Sequence, residues 1–156
     1  ELEPYMIFEK SEADLGDSVK FIKSIMVDVN SASKESLQEI NGIEPTFSER
    51  IVNYRNALGG FYSKDQFSEV YGLVDESLKA LIAHTLINED AIERININSV
   101  TKSDLKKHPY FKKWEVVSAI LSERDKSKLS SLKFLLDNNI VEQAQLNKME
   151  AYVSYE

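Results

Sequence analysis

The chain has 156 residues, 42% hydrophobic and 29% charged, an ordinary globular balance with enough length to bury a core as one large domain or two small ones. Five Gly and three Pro are too few for a many-turned β-sandwich or barrel. No apolar run reaches the roughly 18 residues of a membrane span, and the absence of Cys excludes disulfides and thiolate metal sites while suiting cytosol and periplasm equally. The net charge of −7 disfavours nonspecific attraction of the whole chain to nucleic acid, but the charge is uneven. Residues 1–27 hold six acids against three bases, residues 28–89 ten against five, and residues 90–156 ten against eleven. Only the C-terminal third is not acidic. The chain opens on Glu1 and not Met, the expectation for a processed or cloned piece, from which any export signal or membrane anchor would have been cut away.

Three segments are expected: an N-terminal extension over 1–27, then two related domains over 28–89 and 90–156. In the first segment Asp17 is placed to cap a helix with Val19, Ile22, Ile25 and Met26 inward. That helix is either a strap on the core or the last helix of an earlier repeat. The second segment opens with Ser33 as a helix N-cap, Leu37 and Ile40 as the apolar face, and a stop at Asn41-Gly42, where glycine permits a left-handed turn. A longer helix is predicted over 46–57, with Phe47, Ile51, Tyr54 and Leu58 spaced as one stripe and Gly59-Gly60 ending it. A short helix near 64–71 turns Phe67, Val70 and Tyr71 inward. After Gly72, Asp75 caps a helix with Leu78, Leu81, Ile82 and Leu86 on one face. None of these helices is long enough to stand alone in water.

The plan repeats. Val29-Asn30-Ser31-Ala32-Ser33-Lys34-Glu35-Ser36-Leu37 parallels Ile97-Asn98-Ser99-Val100-Thr101-Lys102-Ser103-Asp104-Leu105, and Ile51 to Arg55 parallels Ile120 to Arg124 one residue out of step. Thr101 is the second N-cap, with Asp104 in a capping-box position. Val116, Val117, Ile120 and Leu121 line the second long helix, Leu132, Leu135 and Leu136 fill a connector, and Leu146, Met149 and Val153 close the copy. The expected fold is all-α: two tandem (helix-hairpin-helix)₂ units of short packed helices with an N-terminal helical strap.

The run Asn30-Ser31-Ala32…Leu37-Gln38-Glu39-Ile40-Asn41-Gly42-Ile43-Glu44-Pro45…Ile51-Val52-Asn53-Tyr54-Arg55, followed by Gly60-Phe61-Tyr62, resembles the helix-hairpin-helix repeat of ComEA-type competence DNA-uptake proteins. That family's pattern is N-x-A-x-x-x-L-x-x-L-P-G-I-G, then I-V-x-Y-R and G-x-F. Lys107-His108-Pro109-Tyr110…Ala119-Ile120…Arg124 looks like a variant found in related Bacteroidetes proteins. The resemblance implies sequence-independent binding of double-stranded DNA: hairpin amides and a helix N-terminus approach a phosphate, and nearby cations add charge. It would make Gly42, Ile43 and Arg50 contact residues in the first hairpin, and Lys102, Lys106, Lys107, Lys112 and Lys113 in the second. Both hairpins depart from the pattern. Glu44 replaces the second glycine of the first, and Tyr110 and Phe111 occupy the turn of the second.

Catalysis finds no support, because no Ser-His-Asp, paired-His or phosphate-loop spacing occurs. His84 and His108 are too few for most histidine metal sites, and His84 sits in an apolar run as a packing residue. Trp114, Tyr110 and Phe111 are expected in the core, although an exposed ring there would stack on a base. No cofactor and no small-molecule substrate is implied. Two functions compete. One is a non-catalytic DNA-binding module, periplasmic or at the cell envelope if it serves DNA uptake and cytoplasmic otherwise, reaching a membrane only through a segment outside this chain. The other, resting on the −7 charge and Glu44, is a scaffold that has lost DNA binding and joins a protein partner or itself.

Overall fold

A computed structural model describes residues 5–8 and 23–156, and it is mostly helical. Seven α-helices are described: α1 (Lys34–Gln38), α2 (Pro45–Leu58), α3 (Asp75–His84), α4 (Lys102–Lys107), α5 (Trp114–Lys126), α6 (Lys133–Asp137) and α7 (Gln143–Glu150). Contacts divide the chain into two compact units. One takes the described residues up to Val52 together with Ser63–Asn88; the other comprises Asn53–Tyr62 and Glu89–Glu156.

Short strands accompany the helices. Strand β1 (Tyr5–Phe8) pairs antiparallel with β2 (Lys23–Asp28), and β2 pairs in parallel with β3 (Thr85–Leu86). In the second unit β4 (Ile95–Asn96) runs parallel to β5 (Val153–Ser154). The expected N-terminal helix is therefore wrong over residues 23–26, where the β-branched and apolar run Ile25-Met26-Val27 is extended and pairs on both sides. Asp17, Val19 and Ile22 lie outside the described residues. Leu86 and Val153, read as helix-face residues, are strand residues instead.

In the first unit Ser33 caps α1, its hydroxyl accepting the Ser36 amide at 3.1 Å, and α1 buries Leu37 completely. Ile40, Ile43, Ile51, Phe67 and Leu81 are buried in the same unit. The segment 64–71 holds a 3₁₀ helix, Lys64–Glu69, fixed by a capping box between Ser63 and Gln66. Phe67 and Val70 are buried as expected, but Tyr71 and Ile82 are exposed: Tyr71 falls at the tip of the Gly72 turn, and Ile82 is on the outer side of α3 from Leu81. Val74, not Asp75, is the N-cap of α3, and it contributes no side-chain cap.

The second unit reuses the same local devices 68 residues on. Asp28 Oδ1 accepts the Asn30 amide at 3.1 Å, and Asn96 Oδ1 accepts the Asn98 amide at 3.1 Å. The Asn30 side chain donates to the Asn88 carbonyl, and the Asn98 side chain to the Leu129 carbonyl. Thr101 caps α4 through the Asp104 amide, as Ser33 caps α1. Arg124, at the repeat position of Arg55, donates to the Ile97 and Val100 carbonyls and so ties α5 to the chain entering α4. Leu105, Phe111, Val116, Val117, Ile120 and Leu132 are fully buried here. Asn139 takes a left-handed φ of +55° at the end of α6, a position asparagine tolerates better than most residues.

Gly59 closes α2 at φ +88°, and its carbonyl accepts the Glu93 amide at 2.8 Å. A Cβ at this residue would lie 2.6 Å from the Glu93 carbonyl oxygen, a backbone atom that cannot swing away. At Gly42, φ +98°, the nearest atom to such a Cβ is Ala80 Cβ at 3.5 Å, an ordinary contact. Gly59→Ala is therefore expected to lose about 2–3 kcal/mol in urea unfolding and Gly42→Ala only about 1 kcal/mol. Equal losses would show that backbone conformation, and not the approach of Glu93, sets the requirement at Gly59.

Candidate nucleic-acid interface

The first hairpin joins α1 to α2. Gly42 turns the chain, its carbonyl accepting the Ser77 hydroxyl at 2.8 Å, and the Ile43 amide donates to the Ile40 carbonyl at 3.0 Å. The Ile43 side chain is buried. Pro45, the first residue of α2, has no amide to offer, and the exposed Glu44 puts a carboxylate beside the positive end of the helix. Arg50 is directed elsewhere: its guanidinium donates to the Tyr71 carbonyl at 3.3 Å and lies 5.2 Å from the Tyr71 ring, bracing the Gly72 turn. The helix after that turn, α3, carries Asp75 and Glu76 in its first turn. Acids thus stand at both helix N-termini that follow the glycine turns of this unit.

The second unit builds its hairpin without glycine. The amides of Phe111 and Lys112 both donate to the His108 carbonyl at 3.1 Å. The His108 ring does the rest. Its Nε2–H donates to the Leu58 carbonyl at 2.9 Å, which leaves Nδ1 to accept the Tyr110 amide at 3.2 Å. Phe111 and Tyr152 pack against the imidazole with ring centroids 5.0 Å away, and the Tyr152 hydroxyl donates to the Gly60 carbonyl at 2.6 Å. Burial pushes the His108 pKa down to about 4, against a smaller upward pull from the Leu58 carbonyl, so the ring is neutral at pH 7.

The turn delivers the chain to α5, whose N-cap, Lys113, makes no side-chain cap bond. The start of this 13-residue helix thus has no side-chain cap, and Lys112 and Lys113 directly precede it. Lys112, Lys113, Lys102, Lys106 and Lys107 are all exposed. Lys102 and Lys106 sit 4.8 and 5.9 Å from the centre of the Trp114 ring, which joins α4 to the start of α5 in one basic patch. Lys107 is engaged by Asp104 at 2.9 Å, and that pairing, with the Thr101 hydroxyl, holds the Asp104 carboxyl below its usual pKa. Glu115, also in the first turn of α5, is the acid closest in sequence to the lysines of the turn.

Residues 23–84 match the family model of the helix-hairpin-helix motif. This chain carries a helix-hairpin-helix motif. Over 59 residues it is 32% identical to ComE operon protein 1 of Bacillus subtilis (strain 168), a match that covers 38% of this chain and 29% of that protein. The matched stretch is therefore less than a third of the relative's length. No solved structure matches. The likeness to ComEA-type helix-hairpin-helix proteins read from residues 30–62 is borne out over this stretch.

Outside the matched motif, the five lysines expected at the second turn do lie on α4 and at the start of α5, with Lys102 and Lys106 drawn together on Trp114. Gly42 and Ile43 stay at the first hairpin, while Arg50 reaches the turn after Val70. Of the three rings expected in the core, Phe111 is fully buried and Tyr110 half-buried, but Trp114 is 59% exposed. Among the described residues no group of three or more His, Asp or Glu is placed to hold a metal, and no helix is long and apolar enough to cross a membrane.

His108 went unassigned in the sequence, although Pro109 after it was a signal: a residue before proline is driven out of helical conformation. Its neutrality has a pH consequence. The folded pKa of about 4 lies below the unfolded value near 6.5, so stability is fully present above pH 6.5 and is lost as pH falls toward 4. This residue should cost on the order of 2 kcal/mol between pH 7 and pH 4. His108→Gln, which retains a donor for Leu58 but cannot protonate, should remove that part of the pH dependence. Urea unfolding of both proteins across this range measures it, and parallel pH profiles would refute the assignment.

Proposed function

We propose that the chain is a non-catalytic module that binds DNA without sequence preference through the phosphate backbone, and that the contact is made by the second unit. The observation carrying this reading is the basic patch of Lys102, Lys106, Lys112 and Lys113 around the uncapped start of α5. Cations beside a helix N-terminus without a side-chain cap are an arrangement suited to a phosphate. The helix-hairpin-helix match and the similarity to ComE operon protein 1 support the choice of DNA as ligand and a place in competence. DNA uptake at the cell envelope is the process we assign on that basis. In this reading residues 90–156 are a diverged copy of residues 28–89, the contacts of residues 53–62 notwithstanding.

The first unit supports a second role. Tyr71 (82% exposed), Val74 and Ile82 are large apolar side chains in contact with water, and the nearby helix start carries Asp75 and Glu76. That surface suits a protein partner or a second copy better than a phosphate.

Fluorescence anisotropy with a short duplex tests the DNA reading. Binding should weaken on the order of 100-fold between about 50 and 200 mM salt if about four phosphates are contacted. The variant carrying Lys102→Glu, Lys106→Glu, Lys112→Glu and Lys113→Glu, all at exposed positions, should lose binding at low salt while keeping its circular dichroism. Wild-type protein that fails to bind at low ionic strength, or a variant that binds as well as wild type, would overturn the assignment. A stable oligomer by light scattering without DNA binding would favour the scaffold instead.

A further inference from the structure

Trp114 is the one large hydrophobic side chain of the second unit that stays exposed among the described residues. It stands at the first residue of α5, beyond the stripe that Val116, Val117 and Ile120 bury. The groups recorded over its ring are the ammonium ends of Lys102 and Lys106, four residues apart on α4. We infer that Trp114, Lys102 and Lys106 form a stacking platform for an unpaired base, so that the second unit holds single-stranded or frayed DNA more tightly than closed duplex. The inference rests on the DNA-binding reading and deepens it by specifying the form of the strand.

The chemistry follows from the arrangement. An indole face offers an apolar, polarisable surface to any base, independent of sequence, and a closed duplex keeps its base faces stacked on one another. In a single strand a base can leave its neighbours and lie on the ring. The phosphates on either side of it then come beside the two amines, whose exposed stems let them leave the ring face for the phosphate oxygens. Lys112 and Lys113, directly before Trp114 in sequence, extend the cationic track along the strand. The loss of glycine geometry in this hairpin is compatible with such a role, because stacking makes no use of turn amides that His108 already engages.

The chain contains a single Trp, so its intrinsic tryptophan fluorescence reports on residue 114 alone. Titration with oligothymidylate about 15 nucleotides long should quench that fluorescence to saturation, with the midpoint found by anisotropy of the labelled strand. A blunt duplex of the same length should bind more weakly and quench little. Trp114→Ala should weaken binding of the single strand roughly tenfold or more and change duplex binding by less than about twofold, with Trp114→Phe in between. Thermal melting of each variant checks that the fold persists. Duplex binding that depends on the lysines, without quenching and without an effect of Trp114→Ala, would overturn the stacking platform and leave the proposed function intact. Absence of binding to either form would overturn both.

Discussion

Helices of five or six residues, such as α1, α4 and α6, cannot hold themselves in water, because nucleation costs more than so few hydrogen bonds return. Everything else in the chain answers that constraint. Each of the three buries one leucine completely, Leu37, Leu105 and Leu135, and so is held by its neighbours. Ser33 and Thr101 satisfy amides that the first turns of α1 and α4 would otherwise leave unmatched. The parallel pairs β2 with β3 and β4 with β5 are only two residues long, yet each fastens the entry to the exit of a helical unit. Stability in such a fold comes from closing short loops on one another, so a turn residue can matter as much as a core leucine.

The two helix-joining turns reach the same end by different chemistry. At Gly42 the backbone itself takes the left-handed conformation, and the side chain is absent because it would be strained. At 108–113 no residue takes a positive φ, and the turn is closed by an imidazole that accepts one amide and donates to a carbonyl from a neighbouring segment. The second solution has a functional consequence. The histidine-stapled turn fills its amides from within, His108 taking those of Tyr110, Phe111 and Lys112. Any anion at the second turn must be met by side chains and by the start of α5 instead.

Much of this was legible in the chain because it rests on local chemistry. Hydroxyls before apolar runs marked the starts of α1 and α4, Gly42 marked a turn, and four-three-four spacing marked the inner face of α2. The strands β3, β4 and β5 were not legible, since two residues carry no periodicity and Leu86 and Val153 extend helical patterns by coincidence of spacing. Trp114 was misplaced for a different reason. Its size and aromatic neighbours argued for burial, but it lies two residues before Val116, and about 100° of rotation per residue takes it off the buried stripe. His108 needed knowledge of a partner, Leu58, fifty residues away, which no local pattern supplies.

The acidity of the whole chain is a weaker objection to a DNA site than it first suggests. At physiological ionic strength charges are screened over about 8 Å, so a phosphate responds to the groups beside it more than to a sum over 156 residues. Beside the start of α5 those groups are chiefly lysines, with Asp104 already taken by Lys107 and Glu115 the acid nearest in sequence. Acids elsewhere act at longer range and mainly on the encounter: they slow the approach of a polyanion from solution without removing the contact once made. An acidic protein with one basic face is expected to bind selectively in orientation. Under the proposed function, acids on the other surfaces would disfavour other orientations and leave the face with the exposed indole to the strand.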